Sequence, residues 1–324
     1  MSEKKSLIDL PVLLIFFNRP DTFEKVFEQV KIARPSKLFL ACDGARENNK
    51  DDIVRIEECK RIASQVDWEC DVYTNYSEEN LGCGVKPFSA IKWALEIVDR
   101  IVILEDDCVP EQSFFPYMAE LLEKYKDDER IGMVSGLNHF AKWDCGKYSY
   151  CFTRIGAIWG WGTWRRVWDD YDFTLSTLQD PYIQKLIYND ITFKRAKQLK
   201  IDNWLKTTNR VLNGEKISYW DVQFGYLKFY KGYLTIVPKV NLIHNIGVGE
   251  YSTHASTAIQ KKWRKGMLHF IPLNKMDSKI HHPDFVICDH AYDDAVDSTF
   301  GFPNFFLKWY RKIINRISFY IKTK

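Results

Sequence analysis

The stretch that most constrains this chain is Ile101–Pro110, which reads Ile-Val-Ile-Leu-Glu-Asp-Asp-Cys-Val-Pro. Four apolar residues, three of them β-branched, run directly into three consecutive carboxylates. So short a run of branched side chains predicts a strand buried on both faces rather than a helix. Pro110 cannot donate to a central ladder, so the strand should stop near it. Glu105, Asp106 and Asp107 then fall at the strand's C-terminal end, where open α/β sheets bind their ligands. Side chains alternate along a strand, which puts Glu105 and Asp107 on one face and Asp106 on the other. Carboxylates crowded at a partly buried edge are relieved by protonation or by a cation. An all-oxygen cluster suits Mg2+ or Mn2+. The competing reading is an idle acidic loop, but such loops rarely follow so apolar a run.

The preceding residues repeat one pattern. Pro11–Phe17 is an unbroken apolar run closed by Asn18-Arg19-Pro20. Phe23, Val26, Phe27 and Val30 are spaced for one face of a helix over Asp21–Ala33, with Asp21 or Thr22 as its cap. Lys37–Cys42 is a further strand ending in Asp43-Gly44, and Asp52–Val66 is helical in period. Trp68–Tyr73 reads as a strand, Asn80–Gly84 as a turn, and Val85–Val98 as an amphipathic helix leading into Ile101. Alternating strands and helices imply an α/β fold with a mostly parallel sheet flanked by helices. In such a sheet Asn18-Arg19, Asp43-Gly44 and Glu105-Asp106-Asp107 lie along one edge, within reach of one ligand. Neither a Gly-x-Gly-x-x-Gly nor a Gly-x-x-x-x-Gly-Lys-Ser/Thr stands after the first strand, which argues against a dinucleotide enzyme or a P-loop ATPase.

Farther on, Gln112–Tyr125 predicts a helix and Ile131–Ser135 a strand, after which the alternation degrades. Ile155–Trp168 interleaves Gly with Trp, as a substrate wall would, although any single Trp there is better explained by core packing. Gln179–Asn213 is polar and helical, Ile217–Asp221 ends in Trp220-Asp221, and Tyr233–Val240 is a short strand. Asn241–His254, with two His and two Gly, reads as a flexible loop. Phe305–Lys324 carries six Lys or Arg and no acidic residue among its apolar positions. That pattern suits the surface of an anionic membrane, or equally a docked helix with a basic outer face.

The net charge of +3 is too small to argue for nucleic acid. Eight cysteines without a Cys-x-x-Cys pair show no zinc or disulfide framework and fit a reducing cytoplasm. Met1–Leu10 lacks the apolar core of a signal peptide, and no apolar run approaches a membrane span.

Pro11–Arg19, Phe39–Gly44 and Leu104–Asp107, in this order and spacing, resemble the nucleotide-sugar-binding half of GT-A glycosyltransferases. The likeness is to the N-acetylglucosaminyltransferase I family and, more weakly, to family 2 glycosyltransferases of bacterial surface polysaccharides. It covers residues 1–140 well and continues through Gly160-Trp161 and Trp220-Asp221. The resemblance implies one GT-A domain, with a nucleotide-sugar half at 1–140 and an acceptor and catalytic half at 141–270, followed by an extension at 271–324. It also implies roles for single residues. Arg19, beside Asn18, would contact the nucleotide, and Asp43 would accept from uracil N3–H. Glu105 and Asp106 would place ribose and sugar, and Asp107 would bind Mn2+ or Mg2+. Asp221 would be the catalytic base, although Val222 stands where the family has a second acidic residue. Asp169 and Asp170 rival it. Lys86 could approach the nucleotide, and His244 and His254 could close over the diphosphate, with His254 a candidate metal ligand.

The implied activity is transfer of a sugar from a UDP-sugar to a glycan or lipid-linked oligosaccharide, with inversion. Two other classes compete. A sugar nucleotidyltransferase should open with a glycine-rich loop, and none follows Phe17. A non-enzymatic membrane-binding protein would rest on the C-terminal tail alone.

Overall fold

A computed structural model describes residues 4–247 and 271–301. Its first third alternates as the apolar runs require. The order is β1 (Ile8–Phe16), α1 (Pro20–Ala33), β2 (Pro35–Cys42), α2 (Lys50–Ala63), β3 (Asp71–Tyr76), α3 (Gly82–Ile97) and β4 (Arg100–Glu105). Then follow β5 (Cys108–Pro110), α4 (Phe114–Lys124), β6 (Ile131–Ser135), β7 (Tyr150–Thr153), β8 (Trp161–Trp164) and α5 (Arg165–Trp168). The last elements are α6 (Pro181–Asp190), α7 (Ala196–Leu212), α8 (Asp221–Lys231), β9 (Leu234–Pro238), β10 (Ile243–Asn245) and α9 (His290–Val296).

Eight strands form one mixed sheet in the order β3-β2-β1-β4-β8-β6-β9-β7. The β3-β2-β1-β4 half is parallel throughout, and β8 runs antiparallel between β4 and β6. The fold is therefore the α/β class with a mostly parallel sheet that the apolar runs imply. β1 and β4 are neighbours, with Ile15 opposite Glu105, so the ends of both strands open at the same edge. Pro11 is tolerated inside β1 because it lies at a register irregularity, and the ladder to β4 begins only at Val12.

The helix face read from α1 is the buried one: Phe23, Val26, Phe27 and Val30 are fully enclosed against the sheet. Burial of each such side chain contributes roughly 1.5–3 kcal/mol. Two local expectations are corrected. Asp21 and Thr22 do not cap α1. Its N-cap is Arg19, Pro20 takes the first turn, and the Thr22 hydroxyl donates to the Arg19 carbonyl at 3.1 Å. The third strand starts at Asp71 rather than Trp68. Trp68 is a buried plug whose indole N–H donates to the Pro35 carbonyl at 2.9 Å, and β3 is an edge strand with a largely polar face. Of the two readings of the Gly-Trp run, core packing holds: Trp161 and Trp164 lie buried in β8, and Trp168 packs against Trp161. The polar stretch at 179–213 is helical as expected, as α6 and α7, which share a small second core with Leu175, Leu178 and Tyr226.

His254 and Phe305–Lys324 lie outside the described residues. Among the described residues no helix is long and apolar enough to cross a membrane.

Candidate active site

Strand β4 stops at Glu105, and Asp106 and Asp107 occupy the turn that follows. Strict alternation therefore ends at Glu105, and Asp106 and Asp107 do not face opposite ways as expected. Both meet Arg19, which stands at the end of β1. Its Nε donates to Asp106 Oδ2 at 3.3 Å, its Nη1 donates to Asp107 Oδ2 at 2.9 Å, and its Nη2 pairs with Asp106 Oδ1. The Phe17 amide adds a bond to Asp106 Oδ2. Asp106 is almost fully buried and Asp107 nearly so.

One guanidinium against three carboxylates leaves an excess of negative charge in a poorly solvated place. Burial, then Asp107 and Asp106, push the Glu105 carboxyl up to about 8. Burial also raises Asp106, with Arg19 opposing it. Burial works against the Arg19 charge, but Asp106 and Asp107 outweigh it and hold the guanidinium protonated. A divalent cation fits this donor set: the ligand atoms are all carboxylate oxygens, and the surplus charge is of the right sign. Asp107 is the residue that would hold it.

The Glu105 shift has a measurable sign. Its folded pKa of about 8 lies above the ordinary 4.5, so its contribution to stability is complete below that value. The contribution is lost as pH climbs through about 8. In metal-free melts between about pH 5 and 8, Glu105→Gln is expected to flatten the fall in Tm, and Mn2+ to flatten it in the unaltered chain. Parallel pH profiles for both proteins would rule out Glu105 as the buried acid.

Part of the stretch expected to be a flexible loop is strand β10, and it supports Asp107. β10 pairs antiparallel with β5, setting Asn245 opposite Cys108. Asn245 donates its amide to Asp107 Oδ1 at 3.0 Å, and the Ile246 amide donates to the Asp107 carbonyl at 2.8 Å. A Cβ on Gly247 would stand 1.9 Å from Asp107 Oδ2, so only glycine lets this segment lie against the carboxylate. Gly247→Ala is expected to move Asp107 and cut turnover at least about 10-fold while shifting Tm little, since a small misplacement of a catalytic group is costly. Unchanged turnover would show that Asp107 has no fixed role. His244, beside Asn245, lines a groove with Glu24, Glu28 and Val109.

The base candidate reaches the same rim from the far half of the chain. Gly84, in the first turn of α3, has room for no Cβ, because the Ile217 carbonyl would lie 2.1 Å away. The Cys83 thiol donates to the Ser218 carbonyl at 3.0 Å. These contacts draw residues 217–219 onto α3, and Trp220 is then fixed by stacking on Trp161 at 5.6 Å and by the Tyr171 hydroxyl on its carbonyl. Asp221 follows at the exposed start of α8. The Cys83 thiol is pushed up by burial and then by the charges of Glu105, Asp43 and Asp221, so carboxylates from β4, β2 and α8 converge around it. Asp221 also adds to the charge felt at Glu105. Its rivals are placed otherwise: Asp170 accepts from Lys231 and from the Tyr233 hydroxyl, and Asp169 is exposed at the end of α5.

No protein-family model and no curated protein matches the chain. Among solved structures, HddC from Yersinia pseudotuberculosis is similar at a TM-score of 0.30 and 10% identity, over 50% of this chain and 80% of that one. A UDP-glucose pyrophosphorylase complexed with UDP-glucose gives 0.31 and 9% identity, over 68% and 97% of the two chains. The inositol-1-phosphate CTP transferase from T. maritima gives 0.30 and 7% identity, over 50% and 74%. Scores of this size establish neither a family nor an activity.

Three of the residues expected at a nucleotide are occupied within the protein. Asp43 accepts from the amides of Gly44, Leu81 and Gly82 and from the Asn80 side chain, which fills its four acceptor positions. A uracil N3–H could bond to Asp43 only by displacing one of these donors. Lys86 gives all three N–H groups to Asn75 and Ser77, which leaves none for a diphosphate. Asn18 is buried with its amide on Asp52, which Arg46 also holds. These side chains build the rim by fixing the starts of α2 and α3. Arg19, Glu105, Asp106 and Asp107 are the predicted residues brought into direct company, with Asp221 within electrostatic reach.

Proposed function

We propose that this chain is a divalent-metal-dependent transferase of nucleotide sugars, and within that class a GT-A glycosyltransferase. It moves a sugar from a UDP-sugar to a hydroxyl of a glycan or lipid-linked oligosaccharide, with inversion. The observation that carries the reading is the cluster of Glu105, Asp106 and Asp107 at the rim of the parallel sheet, clamped by Arg19 and within reach of the Asp221 charge.

When bound, Mn2+ or Mg2+ supplies the positive charge that a departing diphosphate requires. The protein's own groups do the rest. Arg19 orients Asp106 and Asp107, and the two of its N–H groups that bond to none of the described residues would suit a phosphate oxygen. Asn245 fixes the rotation of the Asp107 carboxylate. Asp221, exposed and across the rim, takes the proton of the acceptor hydroxyl as general base.

Sugar nucleotidyl transfer is the second reading, because the same carboxylate cluster could hold a divalent ion against a departing pyrophosphate. Against it, β1 is followed by Phe17-Asn18-Arg19, a connection without the glycines that cradle a triphosphate. One assay separates the two. With Mn2+ and a panel of UDP-sugars, glycosyl transfer releases UDP, slowly even onto water. Nucleotidyl transfer instead forms UTP from UDP-sugar and pyrophosphate. Pyrophosphate-dependent UTP formation without UDP release would overturn the glycosyltransferase reading. An anionic membrane surface is proposed as a partner of residues 305–324. Deleting them should abolish binding to anionic vesicles and leave UDP release intact, and retained binding would refute that role.

A further inference from the structure

The junction between α9 and the edge strand β7 holds a cluster of another chemistry. The residues before α9 reach β7 through a bridge between Cys288 and Phe152, and the Asp289 amide donates to the Phe152 carbonyl at 2.7 Å. Asp289 is itself locked, accepting from the Trp143 indole and from the Tyr292 amide. The residues on either side, Cys288 and His290, therefore start from a fixed backbone. His290 and Asp293 are three apart on α9 and share a face. Cys288 Sγ lies 3.4 Å from Asp293 Oδ2, and His290 Nδ1 lies 4.0 Å from the same oxygen. All three potential ligand atoms fall within 4.8 Å of one another.

We propose that Cys288, His290 and Asp293 bind a zinc ion, at a site separate from the carboxylate cluster at the sheet rim. With Zn–S near ~2.3 Å and Zn–N and Zn–O near ~2.0 Å, adjacent ligand atoms of a tetrahedral site lie roughly 3.3–3.6 Å apart. The Cys288–Asp293 edge already has that length, and the His290 nitrogen, 4.0 Å from Asp293 Oδ2 and within 4.8 Å of Cys288 Sγ, needs to move in by about 0.7 Å on Asp293 and by up to about 1.3 Å on Cys288. His290 is the exposed member and can make that adjustment, whereas Asp293 is buried. Asp293 is also oriented as ligating carboxylates are, by the amides of Arg154 and Ile155 on its oxygens.

The charges balance. A thiolate, a carboxylate and a neutral imidazole match a divalent ion, and the thiol proton that Cys288 now donates to Asp293 leaves to solvent on binding. The nearby Lys200 is paired with Asp297 at 2.9 Å, so its charge is already matched. A sulfur, nitrogen and oxygen set selects zinc over Mn2+ or Mg2+, the reverse of the preference at Asp107. Three protein ligands leave the fourth position to water.

The test uses the full chain and Co2+ as a spectroscopic stand-in for zinc. Native protein is expected to bind about one equivalent with a thiolate-to-cobalt charge-transfer band, and zinc should displace it. Cys288→Ser should lose the band, His290→Ala should weaken zinc binding at least about 10-fold, and Asp107→Ala should keep both. His290→Ala alters an exposed side chain, so it reports on the site even if Cys288→Ser folds poorly. A native chain without the band, a band that survives Cys288→Ser, or zinc affinity untouched by His290→Ala would each overturn the proposal. Because Asp107→Ala removes only the rim cluster, failure here and failure of the transferase reading can be told apart.

Discussion

Asp107→Ala is expected to lower Mn2+-dependent UDP release by about 10³-fold or more, close to ~4 kcal/mol of lost transition-state stabilisation. Asp107 is the rim carboxylate held from three sides, by Arg19 on one oxygen, Asn245 on the other and Ile246 on its carbonyl. Such fixing is what a metal ligand needs, since a carboxylate free to rotate binds and orients weakly. The loss is not a folding defect. The substitution removes one negative charge beside Glu105 and leaves Arg19 paired with Asp106, so Tm should hold or rise. Asp107→Asn preserves shape and should fail nearly as badly, because the missing property is charge. Both variants are checked by UDP release and by calorimetric titration with Mn2+. A variant that turns over at the native rate would remove Asp107 from the mechanism.

Arg19→Ala should have the largest effect on folding. Among the described residues it leaves Asp106 buried with only the Phe17 amide as a donor, beside two further carboxylates. Breaking a buried ion pair in this way costs about 3–5 kcal/mol. The sign of its pH dependence follows. Without the guanidinium, which opposes the rise at both, the Glu105 and Asp106 carboxyls are pushed further above their unfolded-chain values. A carboxylate raised by folding keeps its stability below the unfolded pKa and loses it as pH climbs. The deficit against native protein should therefore be greatest near neutrality and shrink toward about pH 4, and Mn2+ should recover part of it at pH 7. Denaturant unfolding at two pH values measures both effects. A loss under about 1 kcal/mol at pH 7 would mean that the pair is solvated and unimportant.

Legibility followed the physical range of each signal. β1, β2, β4 and β6 were plain from short apolar runs, rich in β-branched residues in β1 and β4, because a strand covered on both faces needs no partner to declare itself. β3 was displaced by three residues, since an edge strand carries a polar face and Trp68 imitates a strand residue while plugging the core. β8 was hidden in the Gly-Trp run, where the same composition serves a sugar-binding wall or a packed interior. Trp161 stacked on Trp220 shows that the run packs the interior. Asn245 and Gly247 carried no local sign of their role. Their importance comes from Asp107, 138 residues away from Asn245 in the chain.

What the sequence alone determined is the parallel half of the sheet and the chemistry delivered to its edge. Both depend on side-chain period and on which residue follows each strand, and these are local properties. Tertiary structure decided which polar atoms remain available. Asp43 and Lys86 end one strand or start one helix just as Arg19 and Asp107 do when read as letters, yet their hydrogen-bonding capacity is taken up by the start of α3 and the end of β3, and Asn18 is drawn onto Asp52 in α2. Whether a buried polar group holds the fold or meets a ligand depends on partners contributed from distant segments. That assignment exists only once the chain has closed.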